Sequence, residues 1–262
     1  EKDGVQQALF EEVPHLIVVD EAHDNSKGKQ LALNLKQDVV LKYIPIILVI
    51  ENRETLLAKE IEHIDDFFEK DKNLKPLTVL VRRVLSKNSN ELDVNPLTHL
   101  PGTRSSVSRI EQVITSKKKF SVLCVDLSDL AVFNKAYGDA RGDEVIIRTS
   151  EILKKALRLY GGTGDFIGHQ GGDDFIVLTV PERAVAICEA LIQSFDSECA
   201  SFYDLEDREL GYLIQRDAEG ELKHYPIMSL SVAIVDNRKI ALKAVPQISH
   251  IAGELAKTMQ SM

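Results

Sequence analysis

FIGHQGGDDFIVLTV, residues 166–180, is the stretch on which the reading of this chain turns. Two apolar, β-branched runs flank a Gly-Gly-Asp-Asp tip, a pattern that predicts a β-hairpin with glycine at its turn. Upstream, KFSVLCVDL (119–127) is a strand-like apolar run that reaches an acid at Asp126. If that strand and the hairpin are neighbours in one sheet, Asp126, Asp173 and Asp174 converge at one sheet edge. An all-oxygen ligand set of this kind suits Mg²⁺ carrying a triphosphate. Gly171 and Gly172, with no Cβ, would let a nucleotide approach the backbone closely. The plainer reading is an ordinary tight turn beside a strand-end acid, and the residues by themselves leave both open.

Working outward, the second half predicts helices over about 103–116, 128–160 with a Gly-Asp break, and 181–195. YLIQRDAEGELKHYP (212–226) predicts a second hairpin with its turn near Glu219-Gly220. MSLSVAIV (228–235) predicts a strand, and the C-terminus a helix. Strand, helix, hairpin, helix, strand is an α+β order with antiparallel pairs.

The first half follows another plan. HLIVVD (15–20), PIILVI (45–50) and the weaker IDDFFE (64–69) are short apolar strands, with the helical pattern GKQLALNLKQ (28–37) after the first. Continuous apolar strands alternating with helices predict a parallel sheet covered on both faces. PLTVLVRRVLSKNSNEL (76–92) places Leu77, Leu80, Val81, Val84 and Leu85 on one helical stripe behind a helix-starting proline. The organisation expected is therefore a module over 1–75, a helical linker over 76–94 and a second domain over 95–262, an α/β chain ending in an α+β domain.

The formal charge is −9 and the pI about 5.3, which argues against a protein that coats a nucleic acid polymer. Three cysteines without CxxC spacing are a poor disulfide framework. No apolar run approaches the roughly 18 residues of a membrane-spanning helix, and EKDGVQQALF is not of signal-peptide type. A bacterial cytoplasmic location is expected.

NPLTHLPGTR (95–104), VDLSDLAVFNKAYGDARGDEVI (125–146) and IGHQGGDDF (167–175), in that order, resemble the GGDEF family of diguanylate cyclases. The resemblance spans nearly all of 93–262. It implies a nucleotidyl-cyclase-like fold that condenses two GTP into cyclic di-GMP across a dimer, with Mg²⁺. It places Asp126, the Leu127 carbonyl and Asp173 on metal positions, Asn134 and Asp143 on guanine-reading positions, and Gly171 and Gly172 beside the nucleotide. Asp174 stands where the family has a glutamate thought to help activate the ribose hydroxyl. Other positions depart. Ala131 replaces a phosphate-binding lysine, and His169 replaces an arginine. The closing ELAKTMQSM lacks a clear match to the family's ending, with Lys257 a partial substitute. Of the inhibitory RxxD, Gly162 takes the arginine position and only Asp165 remains. What these losses imply is a degenerate domain with little cyclase activity, a guanine-nucleotide-binding regulator or scaffold with protein partners. The rivals are a working diguanylate cyclase and a ligand-free interaction module. His169 itself reads as a partly buried strand residue in preference to a metal ligand.

PHLIVVDEAHDNSKGKQLALNLK (14–36) resembles the middle of a response-regulator receiver. That resemblance puts Asp20 on the phospho-acceptor position, Ile50 on the switch hydroxyl position and Lys70 on the last-strand lysine. With an apolar Ile50, dimerisation or docking is the role expected of this segment, not phosphorylation.

Overall fold

The computed structural model describes Leu9 and residues 14–22, 27–38, 41–52, 64–70, 75–91, 93–216, 220–238 and 240–260; side chains at 75, 86–91 and 256–260 are outside the description. The chain divides into two compact units, Glu1–Val94 and Asn95–Met262.

The first unit is a three-stranded parallel sheet. It contains β1 (Ile17–Asp20), α1 (Gly28–Gln37), β2 (Ile46–Ile50), β3 (Asp66–Glu69) and α2 (Lys75–Glu91), with strand order β1-β2-β3. Because side chains alternate along a strand, central β2 supplies two cores. Ile46, Leu48 and Ile50 pack with Val19, Ala32, Leu35 and Leu41 on one face. Ile47 packs with Phe68 and Val84 on the other. The stripe of α2 is what covers that second face: Leu77, Leu80 and Val81 join Val84 against it, while Leu85 stays partly exposed. Gly28 opens α1 where a Cβ would stand 1.8 Å from the Asp20 carbonyl oxygen, so only glycine lets the helix start so close to the strand end.

The second unit is built on a four-stranded antiparallel sheet. It comprises α3 (Thr103–Thr115), β4 (Ser121–Ser128), α4 (Leu130–Tyr137), α5 (Asp139–Tyr160), β5 (Phe166–Gly171), β6 (Asp174–Thr179), α6 (Pro181–Cys199), α7 (Leu205–Leu210), β7 (Tyr212–Arg216), β8 (Leu222–Pro226), β9 (Ser229–Asp236) and α8 (Val245–Gln260). The order is β5-β6-β4-β9, with β7 and β8 forming a separate hairpin. Of the turn expected in that hairpin, Glu219 lies outside the described residues. The break expected within 128–160 falls at Gly138, whose φ of +87° ends α4. Helix α6 starts at Pro181, which is suited to a helix's first turn, and packs against α5, β4 and β9. Period-2 alternation is visible in β4: Leu123, Val125 and Leu127 are buried, while Cys124, Asp126 and Ser128 share a half-buried face. That alternation is what leaves Asp126 open on an otherwise apolar strand. Among the described residues no helix is long and apolar enough to cross a membrane, and the three cysteines are free thiols.

Candidate functional site

The hairpin tip is a two-residue turn. Gly171 pairs with Asp174, leaving Gly172 and Asp173 between them. Gly172 has φ +57° and Gly171 φ +118°, a region that side-chain-bearing residues avoid. The ladder slips by one residue between His169 and Gly171, a bulge that re-aims the tip. Central β4 runs antiparallel to β6 with Val125 opposite Phe175, so Asp126 and Asp174 are each one step beyond the last pair. Carboxylate oxygens of Asp126, Asp173 and Asp174 lie within 4.8 Å of one another.

Among the described residues none of the three carboxylates forms an ion pair. Burial pushes Asp126 up to about 6, with the Asp173 and Asp174 carboxylates adding to the shift. Asp174 is raised by burial and then by Asp173. Like charges held this close favour whatever neutralises them, a proton or a divalent cation. Three convergent carboxylates are a hard-oxygen donor set, so the residues present fit Mg²⁺. Leu127, whose carbonyl is the other candidate ligand, follows Asp126 with its side chain buried and its backbone paired to Leu230 of β9.

The two candidate base-reading residues meet at the α4–α5 junction. Asn134 lies against Gly142, where a Cβ would fall 1.9 Å from Asn134 Oδ1. Asp143 is the next residue, exposed near the start of α5. Asn134 Oδ1 is buried and has no hydrogen-bond partner. Buried acceptors are rarely left unpaired, and Gly142 stands directly over this one. Ala131 is exposed in the first turn of α4 and offers no charge there. Lys257 lies outside the described side chains.

Three residues of the site were not singled out from sequence. Gly142 permits the close approach to Asn134. Thr98 reaches His169, as described below. Arg183, in the first turn of α6, ties down Asp165: Arg183 Nη2 donates to Asp165 Oδ1 at 2.7 Å, while Thr179 Oγ1 and the Gly162 amide each donate to Oδ2 at 2.9 Å. A Cβ at Gly162 would fall 2.4 Å from Arg183 Nη1, so the arginine occupies space beside the glycine. Thr179 closes β6 and Arg183 sits in the first turn of α6, so the pair meets across a strand–helix junction. A cavity of about 300 Å³ borders this pair and is lined also by Arg109, Lys118 and Lys119. In the first unit, Lys70 Nζ lies 2.9 Å from Asp20 Oδ2, and Ile50 is fully buried.

Residues 92–209 match the family described as "Diguanylate cyclase, GGDEF domain". The bifunctional diguanylate cyclase/cyclic di-GMP phosphodiesterase MucR of Pseudomonas aeruginosa is 29% identical over 134 residues, 47% of this chain and 19% of that protein. The uncharacterized protein y4lL of Sinorhizobium fredii is 30% identical over 112 residues, 42% of this chain and 13% of that one. The chain thus spans under a fifth of the length of either curated relative. Among solved structures, diguanylate cyclase SiaD in complex with its activator SiaC, from Pseudomonas aeruginosa, aligns at a TM-score of 0.47 and 19% identity, over 72% of this chain and 66% of that one. The GGDEF domain of PA1120 (TpbB or YfiN) from the same organism aligns at 0.46 and 21%, over 64% and 90%. The hairpin tip, its partner strand and the sequence match agree, and the second unit of this chain carries a GGDEF domain.

Proposed function

We propose that the second unit binds a guanine nucleotide with Mg²⁺ and turns it over poorly, serving cyclic di-GMP signalling as a regulator or scaffold. The observation that carries this reading is the contrast between intact ligand positions and missing cations. Asp126, Asp173 and Asp174 converge within 4.8 Å, and Asn134 and Asp143 stand together at the α4–α5 junction. Guanine offers N1–H and N2–H₂ on one edge, which a carboxylate at Asp143 and the amide of Asn134 can meet. Mg²⁺ would be held by Asp126, Asp173 and the Leu127 carbonyl, where it would neutralise triphosphate charge.

The case for low turnover rests on what this chain lacks. Ala131 supplies no ammonium to the phosphates. A hydrogen bond to a charged group is worth roughly 1.5–3 kcal/mol, about ten- to a hundredfold in rate if made in the transition state. Asp174 is one methylene shorter than glutamate, and about 1 Å of misplacement costs on the order of a hundredfold. The rival reading, a working cyclase, draws on the retained negative charge at Asp174 beside Asp173. MucR is itself named as a bifunctional diguanylate cyclase and phosphodiesterase.

We further read the first unit as a partial receiver-like module used for dimerisation or docking. Its support is the Asp20–Lys70 pair with a buried isoleucine at the switch position. The test of the main reading is calorimetry with GTP and Mg²⁺ alongside an assay for cyclic di-GMP. Mg²⁺-dependent binding with negligible product is expected. Robust product formation that Asp173→Ala abolishes would make the protein a cyclase. Absence of nucleotide binding would leave an interaction module. Where turnover is negligible, Ala131→Lys combined with Asp174→Glu is expected to raise it.

A further inference from the structure

We propose that His169 is the positioning residue of the Gly-Gly-Asp-Asp turn: a neutral imidazole that ties Gly172 to Thr98 and so sets where Asp173 and Asp174 stand relative to Asp126. The proposal rests on the cation-binding reading above.

The turn has little to hold it from within. It contains two consecutive glycines at positive φ, and a bulge interrupts the ladder that leads into it. Glycine has the widest conformational freedom of any residue, so the carboxylates that follow need an outside anchor. His169 supplies one at three points. Its Nε2 is 2.9 Å from the Gly172 carbonyl oxygen, inside the turn. Its Nδ1 is 2.9 Å from Thr98 Oγ1. Its ring stacks on Phe175, the residue after Asp174, with centroids 4.3 Å apart and planes at 17°.

The tautomer follows from the partners. A carbonyl oxygen only accepts, so Nε2 carries the proton and donates to Gly172. In the neutral ring Nδ1 then holds a lone pair, and the Thr98 hydroxyl donates to it. Burial lowers the pKa of His169, which keeps the ring neutral near pH 7. Both nitrogens are engaged, so the ring has no lone pair left for a metal ion.

Thr98 is itself fixed. Its amide donates to Asn95 Oδ1 at 3.1 Å, and its carbonyl accepts from Lys154 Nζ of α5 at 3.2 Å. The His169 amide donates to the Pro101 carbonyl at 2.8 Å. The imidazole thus fastens a glycine-rich turn to a loop already anchored on a helix. Groups that orient metal ligands from behind typically change cation affinity by about 10- to 100-fold when removed.

The experiment measures Mn²⁺ binding to the full chain by electron paramagnetic resonance, with the imidazole ¹⁵N spectrum as an independent readout. His169→Ala is expected to weaken Mn²⁺ by about tenfold or more. His169→Gln, whose amide N–H can still reach the Gly172 carbonyl, recovers most of that loss. Thr98→Val falls between. The wild-type spectrum shows the Nε2–H tautomer. Should His169→Ala fail to fold, as judged by circular dichroism, the Gln and Val variants carry the test. Asp173→Ala separates the two readings. If it binds Mn²⁺ like wild type, the cation site itself is wrong. If it loses Mn²⁺ while folded His169→Ala keeps wild-type affinity, or if His169 proves to be the Nδ1–H tautomer, the positioning role is overturned.

Discussion

The β5–β6 hairpin has carboxylates at both ends, and the two ends treat them in opposite ways. At the base, Asp165 is almost fully buried and both its oxygens are satisfied from inside the protein, by Arg183, Thr179 and the Gly162 amide. At the tip, Asp126, Asp173 and Asp174 crowd together with no ion-pair partner among the described residues. A carboxylate that the fold has already neutralised is structural, and its lone pairs are spent. Carboxylates that the fold forces together and leaves uncompensated store repulsion, and a cation relieves it. The resemblance to the GGDEF family would place an inhibitory product site at this base, one that needs a free arginine and aspartate. Here the aspartate is taken by Arg183.

The largest expected effect lies at the base. Arg183→Ala strands the buried Asp165 charge, and breaking such a pair costs about 3 kcal/mol or more. Denaturant melts of Arg183→Ala, Asp165→Ala and the double variant check this, with the double variant less destabilised than the sum of the singles. The same geometry predicts that cyclic di-GMP does not bind at Asp165 more tightly than about 1 μM. A tighter site that disappears on Asp165→Ala would break the contrast between the two ends.

Next in size is the tip. Asp173→Ala should weaken Mg²⁺-dependent nucleotide binding by roughly a hundredfold, as expected for losing a charged ligand, with little change in stability. Calorimetry against the Asp165 variant, provided that it folds, tests whether the ends are functionally distinct. At the α4–α5 junction, Gly142→Ala would push on Asn134 Oδ1, since the new Cβ has no room there. A loss of guanine nucleotide affinity of about tenfold is expected, comparable to one disturbed hydrogen bond, with Mn²⁺ affinity unchanged.

The pH dependence follows from Asp126, raised to about 6. Cation binding needs the ionised carboxylate, so protons compete once the pH drops below about 6, by up to about tenfold per unit for one proton. Stability moves the other way. The folded state holds this proton more tightly than the unfolded chain, so Asp126 favours folding at low pH and loses that contribution as pH rises from about 4 through about 6. Mn²⁺ titrations and thermal melts between pH 4 and 8 should therefore slope in opposite directions, other groups held apart by comparison with Asp126→Asn. The smallest effect is that variant's own: removing one of three like charges should raise the melting midpoint of the metal-free protein at neutral pH by a few degrees.

Much of this was legible in the residues. Apolar, β-branched runs on either side of a Gly-Gly turn predicted the β5–β6 hairpin, and another apolar run predicted the strand containing Asp126, because residue type and turn chemistry are local. The parallel sheet of the first unit was legible for a similar reason, since fully apolar strands separated by a helix have few other ways to be covered. The stripe on α2 was visible too, and it is too apolar for a solvated linker, so that part of it packs on the sheet of the same unit was expected; which of its residues do so is a long-range matter.

The sequence by itself determined that two acids sit at a glycine turn and a third on an apolar strand, because spacing and polarity are properties of neighbours along the chain. Only the tertiary structure decided the rest. It brought Asp126 to the turn, closed Gly142 over Asn134, spent Asp165 on Arg183, and set both nitrogens of His169 to work between Thr98 and Gly172. These contacts join residues as few as three positions apart, His169 and Gly172, and as many as seventy-one, Thr98 and His169. Such contacts depend on where packed elements leave an atom, and hydrogen bonds at 2.9 Å are decided by tenths of an ångström that no pattern of residue types encodes.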